Sequence, residues 1–76
     1  MKNTDNNVLL CDFGKWIRGE RERQELSQNE VGEMIGLHQT YYSRIESGKR
    51  VVDLDTAIKI CKALRLDLSD FIKLHM

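Results

Sequence analysis

Proline is missing altogether from this 76-residue chain, and glycine occurs only five times. A turn-rich β fold draws heavily on both residues, so their shortage favours helices. Two cysteines, Cys11 and Cys61, are too few and too far apart for a disulfide framework or a zinc site. Both read as free thiols in a reducing cytosol. Long hydrophobic runs are absent too: the one near the start, VLLC, is far too short for a signal peptide or a membrane span. The chain is therefore expected to be cytoplasmic, with no membrane partner. Neither sign of charge is in excess, since twelve basic residues balance twelve acidic ones. That neutrality counts mildly against a nonspecific nucleic-acid binder, which usually carries a basic footprint.

Other absences concern chemistry. No nucleophile–base–orienter set, Gly-rich phosphate loop or paired-carboxylate arrangement is visible, so an enzyme is not expected, nor a cofactor. His38 and His75 read as a cap-position residue and a surface residue, too few to hold a metal. No repeat or low-complexity tract interrupts the chain.

What is present is the composition of a globular domain, 41% hydrophobic and 32% charged. A chain this short makes one domain, and a marginal one that gains from a partner subunit. Residues 1–7 are polar and unpatterned and read as a flexible tail, leaving 8–76 as the domain. From Leu9 the apolar residues fall at Leu9/Leu10, Phe13 and Trp16/Ile17, the spacing of one helical face. Continuing that face brings Glu20, Arg21 and Gln24 onto it, with the helix ending near Gln24. Ser27 and Glu30 form a capping box, with Leu26 placed to staple onto Val31, and Gly36 ends this second helix. Gly32 within it costs about 1 kcal/mol against Ala, a cost usually kept because another backbone passes close by.

A third helix runs to Gly48, and its two sides separate on a wheel. Gln39, Thr40, Ser43, Arg44 and Ser47 fill one arc of about 140°. His38, Tyr41, Tyr42, Ile45 and Glu46 fill the other, which is the docking side. A buried carboxylate at Glu46 needs a charged hydrogen-bonding partner, and Arg21 on the first helix supplies it. Asp53 caps a fourth helix whose stripe is Leu54, Ala57/Ile58, Cys61 and Leu64. Asp67 and Asp70 open a short fifth helix carrying Leu68, Phe71 and Ile72, followed by Leu74 and Met76. The expected fold is all-α, a compact domain of five helices with a helix-turn-helix at the second and third.

The string SQNEVGEMIGLHQTYYSRIESGK, Ser27 to Lys49, resembles the lambda Cro/cI-type (XRE) helix-turn-helix family, and the likeness extends from about Phe13 to Ile72. The resemblance implies a lambda-repressor-like domain that binds double-stranded DNA. It places Gln39, Thr40 and Arg44 at base edges, and their chemistry fits: Gln pairs with adenine, Arg forks onto guanine, Thr meets a thymine methyl. It places Ser27 and Gln28, at a positive helix N-terminus, against phosphate. Ser43, Ser47, Lys49 and Arg50 fall at backbone-contact positions, where Tyr41 adds a hydroxyl. Arg21 and Glu46 match the family's ion pair, a structural feature. Four residues depart from the pattern: Glu20 for an apolar residue, His38 for a Ser or Thr cap, Val52 for Pro, and Arg65 for Gly.

The expected function is sequence-specific transcriptional regulation, as a dimeric repressor reading a palindromic operator. Leu68, Phe71, Ile72 and Leu74 are the candidate dimer seam. With no sensory domain, control falls to a regulatory protein partner, proteolysis or dimer concentration. A phage-type repressor, a restriction–modification controller and an antitoxin fit the sequence equally. The alternative from another class is a protein-interaction adaptor on the same scaffold with little DNA binding.

Overall fold

The structure, a computed structural model, describes the backbone of residues 4–76 and side chains from Val8 onward. Its elements are α1 (Thr4–Arg23), α2 (Gln28–Ile35), α3 (Gln39–Glu46), α4 (Leu54–Leu64) and α5 (Leu68–Leu74), with no strand among the described residues. The expected all-α, five-helix architecture is what forms. The first helix starts earlier than its apolar pattern suggested: residues 4–7, read as part of a tail, are helical. Residues 1–3 lie outside the described residues.

Each short helix is closed by side chains that its own sequence supplies. Ser27 Oγ accepts from the Glu30 amide at 3.0 Å while Glu30 Oε1 accepts from the Ser27 amide at 2.7 Å, the reciprocal capping box. His38 serves where Ser or Thr is usual, its Nδ1 accepting from the Thr40 amide at 3.1 Å. Asp53 caps α4 through Thr56, and Asp67 caps α5 through Ser69. Gly36 ends α2 in the left-handed conformation. Arg65 does the same for α4 at φ 61°, a conformation that an L side chain resists.

Phe13, Ile17, Val31, Tyr42, Ile45, Ala57, Ile60, Cys61, Leu64 and Phe71 form the buried core. Within α4 the stripe differs from the expected one. Ala57, Cys61 and Leu64 are buried as read, but Ile60 is fully enclosed while Leu54 and Ile58 are exposed. The helix packs against α1, α2 and α5, and in that seat Ile60 faces inward. Phe71, expected at a dimer seam, instead belongs to the core, its ring 5.4 Å from that of Phe13 and 5.3 Å from that of Trp16.

Two close backbone approaches set the position of α3. A Cβ on Gly14 of α1 would lie 2.6 Å from the Ile45 carbonyl oxygen, and one on Gly32 of α2 would lie 2.7 Å from that of Leu37. Real side chains do not fit there. Gly32 thus has the close neighbour its cost implied; Gly14 does the same for the crossing of α1 with α3.

Candidate nucleic-acid interface

Helix α3 is eight residues long, and a helix that short does not persist by itself in water. Tertiary contacts hold it, and the inner arc makes them. Tyr42, Ile45 and Glu46 are buried, whereas His38 and Tyr41, expected on the same arc, are exposed. His38 sits at the cap, before the helix proper. Tyr41 lies at the arc's edge and turns its ring outward, 41% exposed.

Glu46 is the centre of the anchorage. Arg21 Nε donates to its Oε2 at 2.6 Å and Arg21 Nη2 to its Oε1 at 3.0 Å, a two-pronged pair between α1 and α3. The side chains of Arg21 and Glu46 are only 10% and 2% exposed. The remaining capacity is used as well: Arg21 Nη1 donates to the Leu26 carbonyl at 2.7 Å, and Gln28 Nε2 donates to Glu46 Oε1 at 2.9 Å. Burial alone would raise the Glu46 carboxyl; hydrogen bonds from Arg21 and Gln28 overcome that and hold it below the ordinary range. The Tyr42 hydroxyl is buried nearby without a partner at hydrogen-bonding geometry. Burial and the adjacent Glu46 charge push its phenol well up.

One node therefore joins three helices, and Gln28 is part of it. One N–H of its side-chain amide is spent on Glu46, so what Gln28 can still give a phosphate is its second amide N–H and its backbone N–H at the start of α2. N–H groups in a helix's first turn have no partner within the helix. Ser27 spends its hydroxyl lone pair and its amide on the capping box and keeps its hydroxyl proton.

The outer arc is the opposite in character. Gln39, Thr40, Arg44 and Ser47 are exposed and Ser43 is half-buried. Ser47 Oγ donates back to the Arg44 carbonyl at 3.1 Å; the side chains of Gln39, Thr40 and Arg44 make no hydrogen bond among the described residues. Below them opens a cleft of about 530 Å³, lined on one wall by Gln39, Ser43 and Ser47 of the α3 segment and on another by Ser27, Gln28 and Asn29. Arg18 completes the rim from α1, held by Glu22 at 3.2 Å. Arg18 and Asn29 were not foreseen. Arg18 stands one turn before Arg21, and that spacing was the signal available for it.

Past Gly48, Lys49 is exposed and its amide closes α3 onto the Arg44 carbonyl at 2.9 Å. Arg50 folds back onto Tyr41: its guanidinium carbon lies 3.8 Å from the ring centroid, and its Nη2 donates to the Tyr41 hydroxyl. Of the positions expected at bases or phosphates, Ser27, Gln28, Gln39, Ser43 and Ser47 thus line one cleft, Thr40, Arg44 and Lys49 are exposed, and Tyr41 and Arg50 border a separate hollow.

A tight two-helix unit with its second helix clamped from behind and polar in front defines the helix-turn-helix class of DNA-binding protein. Comparison with known proteins agrees. Residues 17–71 match the helix-turn-helix family, and the chain belongs to that family, in its XRE-type branch. Control protein C.BamHI from Bacillus amyloliquefaciens is 43% identical over 70 residues, covering 87% of this chain and 85% of the relative. Control protein C.MunI from a Mycoplasma species is 44% identical over 65 residues, with 84% and 88% covered. Among solved structures, the restriction-modification controller protein C.AhdI from Aeromonas hydrophila superimposes with a TM-score of 0.81 at 30% identity, over 88% of this chain and 97% of that one. The protein is a sequence-specific DNA-binding transcriptional regulator. Among the described residues no helix is long and apolar enough to cross a membrane.

Proposed function

We propose that the protein is a cytoplasmic homodimeric repressor of the restriction–modification controller kind, acting by occupying a palindromic operator. The observation that carries this reading is the outer arc of α3, where Gln39, Thr40 and Arg44 keep their hydrogen-bonding groups unspent while the inner arc is clamped through Glu46. In it Gln39 and Arg44 read base edges, and Thr40 contacts a thymine methyl. Ser27, Ser43, Lys49 and Arg50 meet phosphate, joined by the α2 amides of Gln28 and Asn29 and by Arg18; Ser47 joins them by turning its hydroxyl proton from the Arg44 carbonyl to the phosphate. The choice of controller over phage repressor or antitoxin rests on control proteins C.BamHI and C.MunI, alike over nearly their whole length.

The second copy is assigned to the apolar face away from this arc. Ile72 and Leu74 are 52% and 69% exposed, and Val51 is 77% exposed. Ile72 and Val51 border a groove of about 440 Å³ together with Leu9 and Leu68. Exposed apolar surface on a marginal domain of this size is stabilised by burial against a partner. A two-fold axis there sets the recognition helices in successive major grooves, about 34 Å apart, and makes the operator palindromic.

Selection of bound sequences from a random duplex pool tests the whole reading. The expected product is an inverted repeat with a fixed half-site spacing; enrichment of a single half-site removes the dimer, and no enrichment removes sequence reading. Ile72→Glu is expected to shift the protein to monomer in sedimentation at micromolar concentration. An unchanged dimer moves the seam elsewhere.

A further inference from the structure

We propose that Tyr41 does not itself contact phosphate but serves as a platform that positions Arg50 to do so; this rests on the DNA-binding reading above. Three observations lead there. The Tyr41 ring is covered by the Arg50 guanidinium at 3.8 Å, and the Tyr41 hydroxyl is taken by Arg50 Nη2. The arginine therefore occupies one face of the ring and the acceptor side of the hydroxyl, leaving the phenolic proton as the one polar group Tyr41 itself has to give a phosphate, which the Tyr41→Phe variant below removes. The loop is also sparsely tied through its backbone, Val52 alone packing against the core. Among the described residues, no backbone–backbone hydrogen bond outside the helices involves Arg50, Val51 or Val52. Finally, a hollow of about 280 Å³, bordered by Leu37, Tyr41, Arg50, Val52 and Thr56, lies where the loop meets α3 and α4. The Tyr41–Arg50 contact thus ties the middle of the loop to the recognition helix, between the Lys49 amide on the Arg44 carbonyl and Val52 on the core.

The physics of the pair favours a positioning role. A free arginine samples many rotamers and loses that freedom on binding phosphate. Stacked on an aromatic ring, the guanidinium is already confined to a plane by its attraction to the ring quadrupole. Its remaining N–H groups stay available along the edge of that plane, the geometry that a phosphate accepts two-pronged. Because Tyr41 belongs to α3, the arginine moves with the recognition helix. A phosphate contact made this way reports the helix's seating in the groove rather than the loop's own wandering.

The test compares Tyr41→Phe, Tyr41→Leu, Arg50→Ala and the double variant Tyr41→Leu/Arg50→Ala by titrating random duplex DNA at several salt concentrations. Circular dichroism checks helix content, and the exposure of Tyr41 makes each change tolerable to the fold. Tyr41→Phe keeps the ring face and is expected to bind within 2-fold of the original protein, roughly, with its salt slope retained. Tyr41→Leu is expected to weaken binding by about 2- to 5-fold on every sequence and to lower the salt slope toward that of Arg50→Ala. In the Arg50→Ala background the Tyr41→Leu change should add nothing. Equal losses for Phe and Leu would make the hydroxyl the phosphate contact and overturn the proposal. So would a Leu effect that persists without Arg50, or no Leu effect at all. If the original protein shows no salt-dependent binding, the underlying DNA-binding reading fails first, a distinguishable result.

Discussion

Each flank of α3 carries a charged residue, Glu46 inside and Arg44 outside, and the two end in opposite states. On the inner flank Glu46 receives both prongs of Arg21 and the amide of Gln28. On the outer flank Gln39, Thr40 and Arg44 face solvent with nothing engaged. The difference lies in what surrounds each residue rather than in its type. A polar group whose bonds are all made inside gives orientation; one whose bonds are open gives recognition. The small domain needs both, since an eight-residue helix cannot present a reading surface unless something fixes its rotation.

The strongest way to break that contrast is to damage the inner flank. Glu46→Ala leaves Arg21 buried without its carboxylate and is expected to cost about 3–5 kcal/mol, measured by urea denaturation. A loss below about 1 kcal/mol would mean that the pair does not anchor the helix. The same carboxylate gives an acid-side signature. Its folded-state pKa lies below the ordinary value, so its contribution is present above that ordinary value and fades as pH falls through the depressed one.

Damage to the rim of the outer flank should act on binding alone. Lys49→Ala is expected to weaken all duplexes alike and lower the salt slope by about one, leaving the melt in place. An unchanged slope would take Lys49 off the phosphate contacts.

Away from both flanks, Arg65→Gly relieves a left-handed backbone at φ 61° and is expected to stabilise by about 0.5–1 kcal/mol with operator affinity unaltered. Destabilisation would show that the arginine side chain contributes more than its backbone costs.

The smallest expected effect is at His75, which lies between the Asp12 carboxylate of α1 and the Phe71 carbonyl of α5, each at 3.1 Å. Both neighbours are acceptors, so the doubly protonated ring fits best. The bond to Asp12, followed by that to Phe71, raises its pKa above the usual histidine value. For a raised pKa the stabilisation is complete below the unfolded value and is lost as pH climbs through the folded one. The melting temperature should therefore decline slightly as pH rises past about 6.5. His75→Gln should flatten that decline; an identical pH profile would show the contact to be idle.

Much of this arrangement was legible because its signals are local. Ser27 and Glu30 announce the capping box three residues apart, and a wheel alone puts Glu46 on the docking side opposite Gln39 and Arg44. Arg21 followed because the face carrying Phe13 and Ile17 passes through it. What escaped depends on contacts across the chain. LDTAIKICKAL supports an apolar stripe through Ile58 or one through Ile60, and only the seat between α1, α2 and α5 selects the second. Gly14 gave no sign that α3 would press against it. Phe71 looked like seam material until Phe13 and Trp16 enclosed it. Glu20, for which the sequence left open either solvent or a Lys or Arg of the fourth helix, is only partly exposed and is met instead by Arg23 of its own helix. Tyr41 and Arg50 meet across a loop whose path no periodicity describes.

The most direct test of the central claim is a panel of duplexes carrying every single-base change in one half-site, bound by the original protein and by Arg44→Ala and Gln39→Ala. Each variant is expected to lose about 1–3 kcal/mol on the preferred sequence and to become indifferent to the base at one position, keeping its preferences elsewhere. A uniform loss across the panel, with every preference intact, would contradict base reading by the outer flank of α3.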